Sequence, residues 1–274
     1  MLKKVLIPLS LRESKDVLKD MCFFLKSLGT ESTVLLHAGT ASHGNTGKMD
    51  EYADIPASLN IRTESIIRPR TAQIEILEAV KEFDADCISF LFRKKNLLKH
   101  IIFGNKVKDI IRQSNIPVFV FRKKLLPEES SRGLKILYPA SLEYMDDMII
   151  SHIKKMNLRL TEVILMHSGS RAPDPVAEQK RRDRTEEMLE KIRQHCRLEE
   201  NESRLLSVLG PARKQIVRAA GKYQADLIVL GKADHTGSAE PVFGSTAEHV
   251  SYNAPCSVLI IPRNTEKAFN SRGI

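Results

Sequence analysis

The chain has 274 residues, 42% hydrophobic and 28% charged, enough for one large or two medium domains with real cores. Its net charge of +9 is uneven, +7 over residues 1–125 and +2 over the remainder, so the first half attracts anions. Aromatic residues at 5% with no Trp argue against a base-stacking single-strand binder. No apolar run reaches bilayer-spanning length and no secretory leader is visible, so the expected compartment is the cytoplasm, with neither membrane nor nucleic acid as partner.

Taken in order, Lys3–Leu11 reads as a short apolar strand ending at Pro8, followed by an amphipathic helix over Glu13–Leu28 closed by Gly29. A second strand, Ser32–Ala38, has His37 near its end. Gly39–Leu59, rich in Gly, Ser and Thr, is expected to be a mobile loop or a short helix. Inside it Ser42–Met49 (SHGNTGKM) imitates a Walker A loop, but Ser42 replaces the first Gly and Met49 the magnesium-holding Ser/Thr. It reads as a flexible loop. Asp84-Ala85-Asp86-Cys87-Ile88 enters a buried strand, and the basic stretch Arg93–His100 follows with no glycine to admit phosphate to the backbone. Gly104-Asn105 opens a turn or helix, and Asn115-Ile116-Pro117 precedes a terminal strand. Arg122–Gly133 is charged, lacks an apolar period and reads as a linker.

The first phrase returns 131 residues on as Lys135–Leu142, with Pro139 in place of Pro8. A helix over Glu143–Asn157 and a strand over Glu162–Ser168 follow, the strand again carrying a late His, His167. A long polar helix, Pro175–Arg197, has a charge run expected to be a solvated face, and a strand lies near Ser203–Leu209. Gln224-Ala225-Asp226-Leu227-Ile228 answers residues 84–88, and Gly244-Ser245 answers Gly104-Asn105, both 140 residues on. Strand Asp226–Leu230 breaks at Gly231 into a polar loop that closes at Gly244. Ser245 is placed as N-cap with Glu248 as its capping-box partner, and Cys256–Ile261 is the last strand. Landmarks repeated in one order mean an internal duplication.

Strands alternating with helices make the fold α/β: two tandem, open, parallel five-stranded sheets with helices on both faces. The domains are placed at 1–125 and 134–265, joined by a linker at 126–133 and followed by a tail at 266–274. Cys22, Cys87, Cys196 and Cys256 form no CxxC pair and read as reduced thiols, buried in the strands at Cys87 and Cys256. The eight His residues have no metal-ligand spacing, so no metal is indicated. There is no GxGxxG after a strand and no GxSxG nucleophile elbow.

Gly231, Gly244 and Ser245 carry a family resemblance. Their spacing resembles the Gly-x2-Gly-x9-Gly-Ser/Thr signature of nucleotide-binding universal stress proteins, with Asp234 where the family has its second Gly. The resemblance covers nearly the whole chain and implies a tandem member with sheet order 3-2-1-4-5. It also implies a pseudo-dimer in which Val118–Phe121 and Val258–Ile261 pair, a homodimer of chains, and an unidentified protein partner. The implied role is a stress-related binding and regulatory module, with slow ATP hydrolysis as the most enzymatic reading. Its implied ligand is an adenine nucleotide, ATP or AMP, with or without magnesium, in the second half. Gly231, Ala233, Asp234, Gly244, Ser245 and Thr246 would face the phosphates, and Pro139, Ala140, Ser141, Ser168 and Leu230 the adenosine part. Ser10 and Ser141 stand where the family has an Asp, and the first half has Leu91 and Lys94 at the glycine positions, so that half is expected to be a degenerate copy. Asp234 repels polyphosphate, Lys232 offsets it, and AMP suffers less. Those departures leave an alternative, a nucleotide-free interaction scaffold.

Overall fold

The computed structural model of the chain describes residues 2–91, 104–122, 133–141, 158–232 and 245–262. They fall into two compact units, residues up to 122 in the first and from 133 in the second. The first contains β1 (Lys4–Leu9), α1 (Lys15–Ser27), β2 (Ser32–Ala38), α2 (His43–Ser58), β3 (Arg62–Arg68), α3 (Ala72–Glu82), β4 (Cys87–Leu91), α4 (Gly104–Gln113) and β5 (Val118–Phe121). The second contains β6 (Leu134–Pro139), β7 (Leu160–Gly169), α5 (Pro175–His195), a single 3-10 turn at Glu200–Glu202, β8 (Ser203–Leu209), α6 (Ala212–Lys222), β9 (Leu227–Lys232), α7 (Ser245–Asn253) and β10 (Ser257–Pro262). The expected helix over residues 143–157, the basic stretch 93–100 and the interior of the linker lie outside the described residues.

Within the first unit every strand pair is parallel and the order is β3-β2-β1-β4-β5; within the second it is β8-β7-β6-β9-β10, the same 3-2-1-4-5 order. β1 and β6, in the middle of the two orders, are buried on both faces, which is why Val5–Leu9 and Ile136–Tyr138 run apolar without alternating. The strands β3 and β8, at one end of each order, have no fully buried residue; β3 is mostly polar, while β8 keeps Leu205, Leu206, Val208 and Leu209. All four cysteines are buried and free, and burial raises the Cys22 thiol to about 12.

Two repeated phrases have the same backbone task in each unit. Asp86 accepts the Lys4 N–H through Oδ2 at 3.0 Å and returns its own N–H to the Lys4 carbonyl at 2.8 Å. Asp226 does the same with Lys135, at 2.9 Å in both directions. Each Asp thereby fixes the register of the first strand against the fourth. Further along, β1 stays paired with β2 as far as Leu9 but leaves β4 after Leu6. Likewise β6 follows β7 through Pro139 but leaves β9 after Leu137. Main-chain polar groups of alternate residues face alternate neighbours, so Pro8 and Pro139 point their missing N–H towards the fourth strand. They stand just past the split, where no ladder bond is forfeited. A crevice opens there in each unit.

Three expectations change. Residues 39–59 are no loop: α2 runs for 16 residues, and Ser42–Met49 forms its cap and first two turns. Ser42 Oγ accepts the Asn45 N–H at 3.3 Å, while Met49, Tyr52 and Pro56 are buried and the Tyr52 hydroxyl donates to the Glu13 carbonyl at 2.8 Å. Tertiary burial supplies what the glycines withhold. Gly231 does not end its strand, because β9 continues to Lys232 with Gly231 paired to Ile261. Ser245 is the first residue of α7, one place inside the expected cap.

Candidate functional site

The crevice between β6 and β9 is where the second unit can hold a ligand, since connections leave in opposite directions on either side of it. Pro139 and buried Ala140 form one wall at the end of β6, with Ser141 exposed beyond them. Buried Leu230 and half-buried Gly231 on β9 form the other wall. α7 starts at Ser245 with half-buried Thr246 next, and its first N–H groups have no partners further up the helix. Ala233, Asp234 and Gly244 lie outside the described residues, as does the Ser245 side chain.

Ser168 stands at the end of β7, next to the wall formed by β6, but its hydroxyl donates to the Gly210 carbonyl at 2.6 Å. That bond ties β7 to the turn after β8 and uses the hydroxyl's only proton, so towards a ligand the Ser168 side chain could act only as an acceptor. The adjacent His167 has the larger role. Its Nδ1 lies 3.0 Å from the Ala140 carbonyl, which can only accept, so Nδ1 carries a proton and in the neutral ring Nε2 has the lone pair. The imidazole thus fastens the loop after β6 to the end of β7. The first unit repeats this at 3.0 Å between His37 Nδ1 and the Leu9 carbonyl. In each unit a glycine two residues on gives the ring room. At Gly39 a Cβ would fall 2.5 Å from His37 Nε2; at Gly169 it would fall 3.6 Å from His167 Nε2 and 3.3 Å from Arg181 Nη1.

Arg181 comes from the charge run on α5, which is not the uniformly solvated face expected of it. Glu178 is nearly buried and accepts from Arg181 Nε at 3.0 Å, Arg181 Nη2 at 2.8 Å, Arg182 Nε at 3.0 Å and the Ala172 N–H at 3.0 Å. The Arg181 guanidinium first, then the Ala172 amide and Arg182, hold its carboxyl well below the usual range. Lys191 and Glu187, further along, do pair in solvent.

In the first unit the loop after β1 is filled from within. Leu11 takes φ 61°, and the Ser10 N–H, Ser10 hydroxyl and Arg12 N–H donate to the Glu13 carboxylate at 2.9, 2.6 and 3.0 Å. Backbone amides converging across a left-handed residue make an anion cradle, and here a side chain of the same loop occupies it. Among the described residues no group of three His, Cys, Asp or Glu could hold a metal ion, and no helix is long and apolar enough to cross a membrane.

Residues 1–122 and 147–262 match the universal stress protein family. Among solved structures, a functionally unknown protein from Pseudomonas aeruginosa PAO1 is similar with a TM-score of 0.76 and 16% identity over 98% of each chain. A putative universal stress protein from P. aeruginosa UCBPP-PA14 gives 0.73 and 18%, over 99% of this chain and 97% of that one. A universal stress protein from Archaeoglobus fulgidus DSM 4304 gives 0.67 and 20%, over 96% and 97%. At these identities the likeness is one of fold. Among curated proteins nothing matches.

Proposed function

The chain belongs to the universal stress protein family, with two copies of the domain in one polypeptide, and on that footing we propose that it is a stress-related module whose second unit binds an adenine nucleotide, ATP or AMP. The observation that carries this reading is the open end of the second sheet. There β6 and β9 part after Leu137 and Ile228, and Pro139, Ala140, Leu230 and Gly231 line the gap. The adenosine part rests on Pro139, Ala140 and Leu230 and on the backbone at Ser168. The phosphates meet Gly231, Gly244 and the amides of Ser245 and Thr246. The first unit is the silent copy, its cradle filled by Glu13. Binding is the activity and occupancy the signal; no step of catalysis is assigned.

Heating the purified chain with millimolar ATP or AMP tests this. A ligand at about 100 times its Kd stabilises the native state by about 2.7 kcal/mol, and the melting temperature rises accordingly. No rise with either nucleotide refutes the reading. A second reading, a nucleotide-free scaffold, draws on the Ser168 hydroxyl being committed to Gly210 and on Ser141 standing in place of the family's Asp. It expects Gly244→Val to leave partner binding intact.

A further inference from the structure

We propose that Arg181 and His167 together read the edge of the bound base, Arg181 Nη1 donating to a ring nitrogen and His167 Nε2 accepting from an exocyclic amino group. This rests on the nucleotide reading above and deepens it. Three observations lead to it. First, Glu178 takes two of the three guanidinium nitrogens of Arg181, Nε and Nη2, and holds the plane in place. The third, Nη1, is buried and has no hydrogen-bond partner among the described residues. A buried N–H without an acceptor costs free energy, so an acceptor is called for at that spot.

Second, that donor sits beside an acceptor of fixed tautomer. Nη1 and His167 Nε2 lie 3.3 and 3.6 Å from one point, the place a Gly169 Cβ would take, at the end of the strand next to the Ala140 wall. A donor beside an acceptor matches the 6-aminopurine edge, where a ring nitrogen accepts and the amino group donates. Third, the two units differ at this place. Arg181 is the seventh residue after the Asp174 cap of α5, and the seventh after the Ser42 cap of α2 is Met49, fully buried. Both units keep the histidine brace and the glycine. Only the second unit puts a guanidinium beside them, and its pairing with Glu178 leaves one nitrogen over.

Isothermal titration of the full chain with AMP and with purine riboside 5′-monophosphate, which lacks the amino group, tests the assignment. The wild type is expected to bind AMP about tenfold tighter than the analogue, the effect of one hydrogen bond to a buried acceptor. Arg181→Met is expected to weaken both ligands at least tenfold, because both keep the ring nitrogen that Nη1 meets, whereas His167→Ala is expected to bring the two within about twofold of each other. Arg181→Lys keeps a charge against Glu178, and so the fold, but cannot hold Glu178 and present a second fixed donor, so it is expected to behave like Arg181→Met. If either folded Arg181 variant binds AMP as the wild type does, or folded His167→Ala keeps the preference, the base-reading role is overturned while the nucleotide site stands. If the wild type binds neither ligand, the base-reading role falls, and if it does not bind ATP either, the nucleotide reading falls with it.

Discussion

Gly39→Ala places a methyl carbon 2.5 Å from His37 Nε2, closer than the two atoms can approach. The ring cannot simply swing aside, because its Nδ1 donates to the Leu9 carbonyl at 3.0 Å. Giving up that bond costs about 0.5–1.5 kcal/mol, and crowding a packed site typically costs about 1–3. Against this, alanine restricts the unfolded chain and returns about 0.4–1 kcal/mol. The net expectation is a loss of about 0.5–4 kcal/mol, centred on ~2, which lowers the melting temperature by several degrees. The duplicate position is the control. At Gly169 the nearest atoms stand at 3.3 and 3.6 Å, so Gly169→Ala is expected to change stability by less than about 0.5 kcal/mol. Urea denaturation of both variants, and of Gly39→Ala in a His37→Ala background, measures the effect. Without the ring, the same methyl is expected to be neutral or stabilising. A cost that persists in the His37→Ala background, or is equal at the two glycines, refutes the reasoning.

Asp226→Ala leaves the Lys135 N–H without its carboxylate acceptor and is expected to cost about 1–3 kcal/mol in urea denaturation, with Asp226→Asn costing less because one oxygen remains. Gly47 faces open space inside α2, so Gly47→Ala is expected to stabilise by about 0.5–1 kcal/mol in the same assay. The Glu178 carboxyl is depressed in the folded state, so its contribution is complete above the unfolded-state value near pH ~4.3 and drains away as the pH falls below it. Thermal melts between pH 7 and pH 3 are expected to show Glu178→Gln less stable than wild type at pH 7, with the gap closing on acidification; a gap constant with pH would count against the ion-pair account.

The duplication was legible because its landmarks act locally. Asp86 and Asp226 each clasp a strand start, Pro8 and Pro139 each end a ladder, and short tasks of this kind leave short, recurring phrases. Helix α2 was not legible, since Gly44, Gly47 and Pro56 are poor helix formers and the element depends on burial of Met49 and Tyr52 against the rest of its unit. Arg181 was hidden for the converse reason. The buried residues of α5 are Glu178, Thr185, Leu189 and Ile192, so half of its inward seam is polar and the helix looks solvated all round. The lone pair of His167 was beyond reach as well, because it is set by a carbonyl at the end of a different strand.

The prolines at the two strand splits have a lasting mechanical effect. Any other residue at position 139 would bring a donor aimed at β9, and the cheapest way to satisfy it would be for the two strands to zip together. With no hydrogen to offer, the gap is propped open before anything enters it, so a guest need not pry the sheet apart. The first unit has the same prop at Pro8, a doorway still standing although Glu13 has walled up the room behind it.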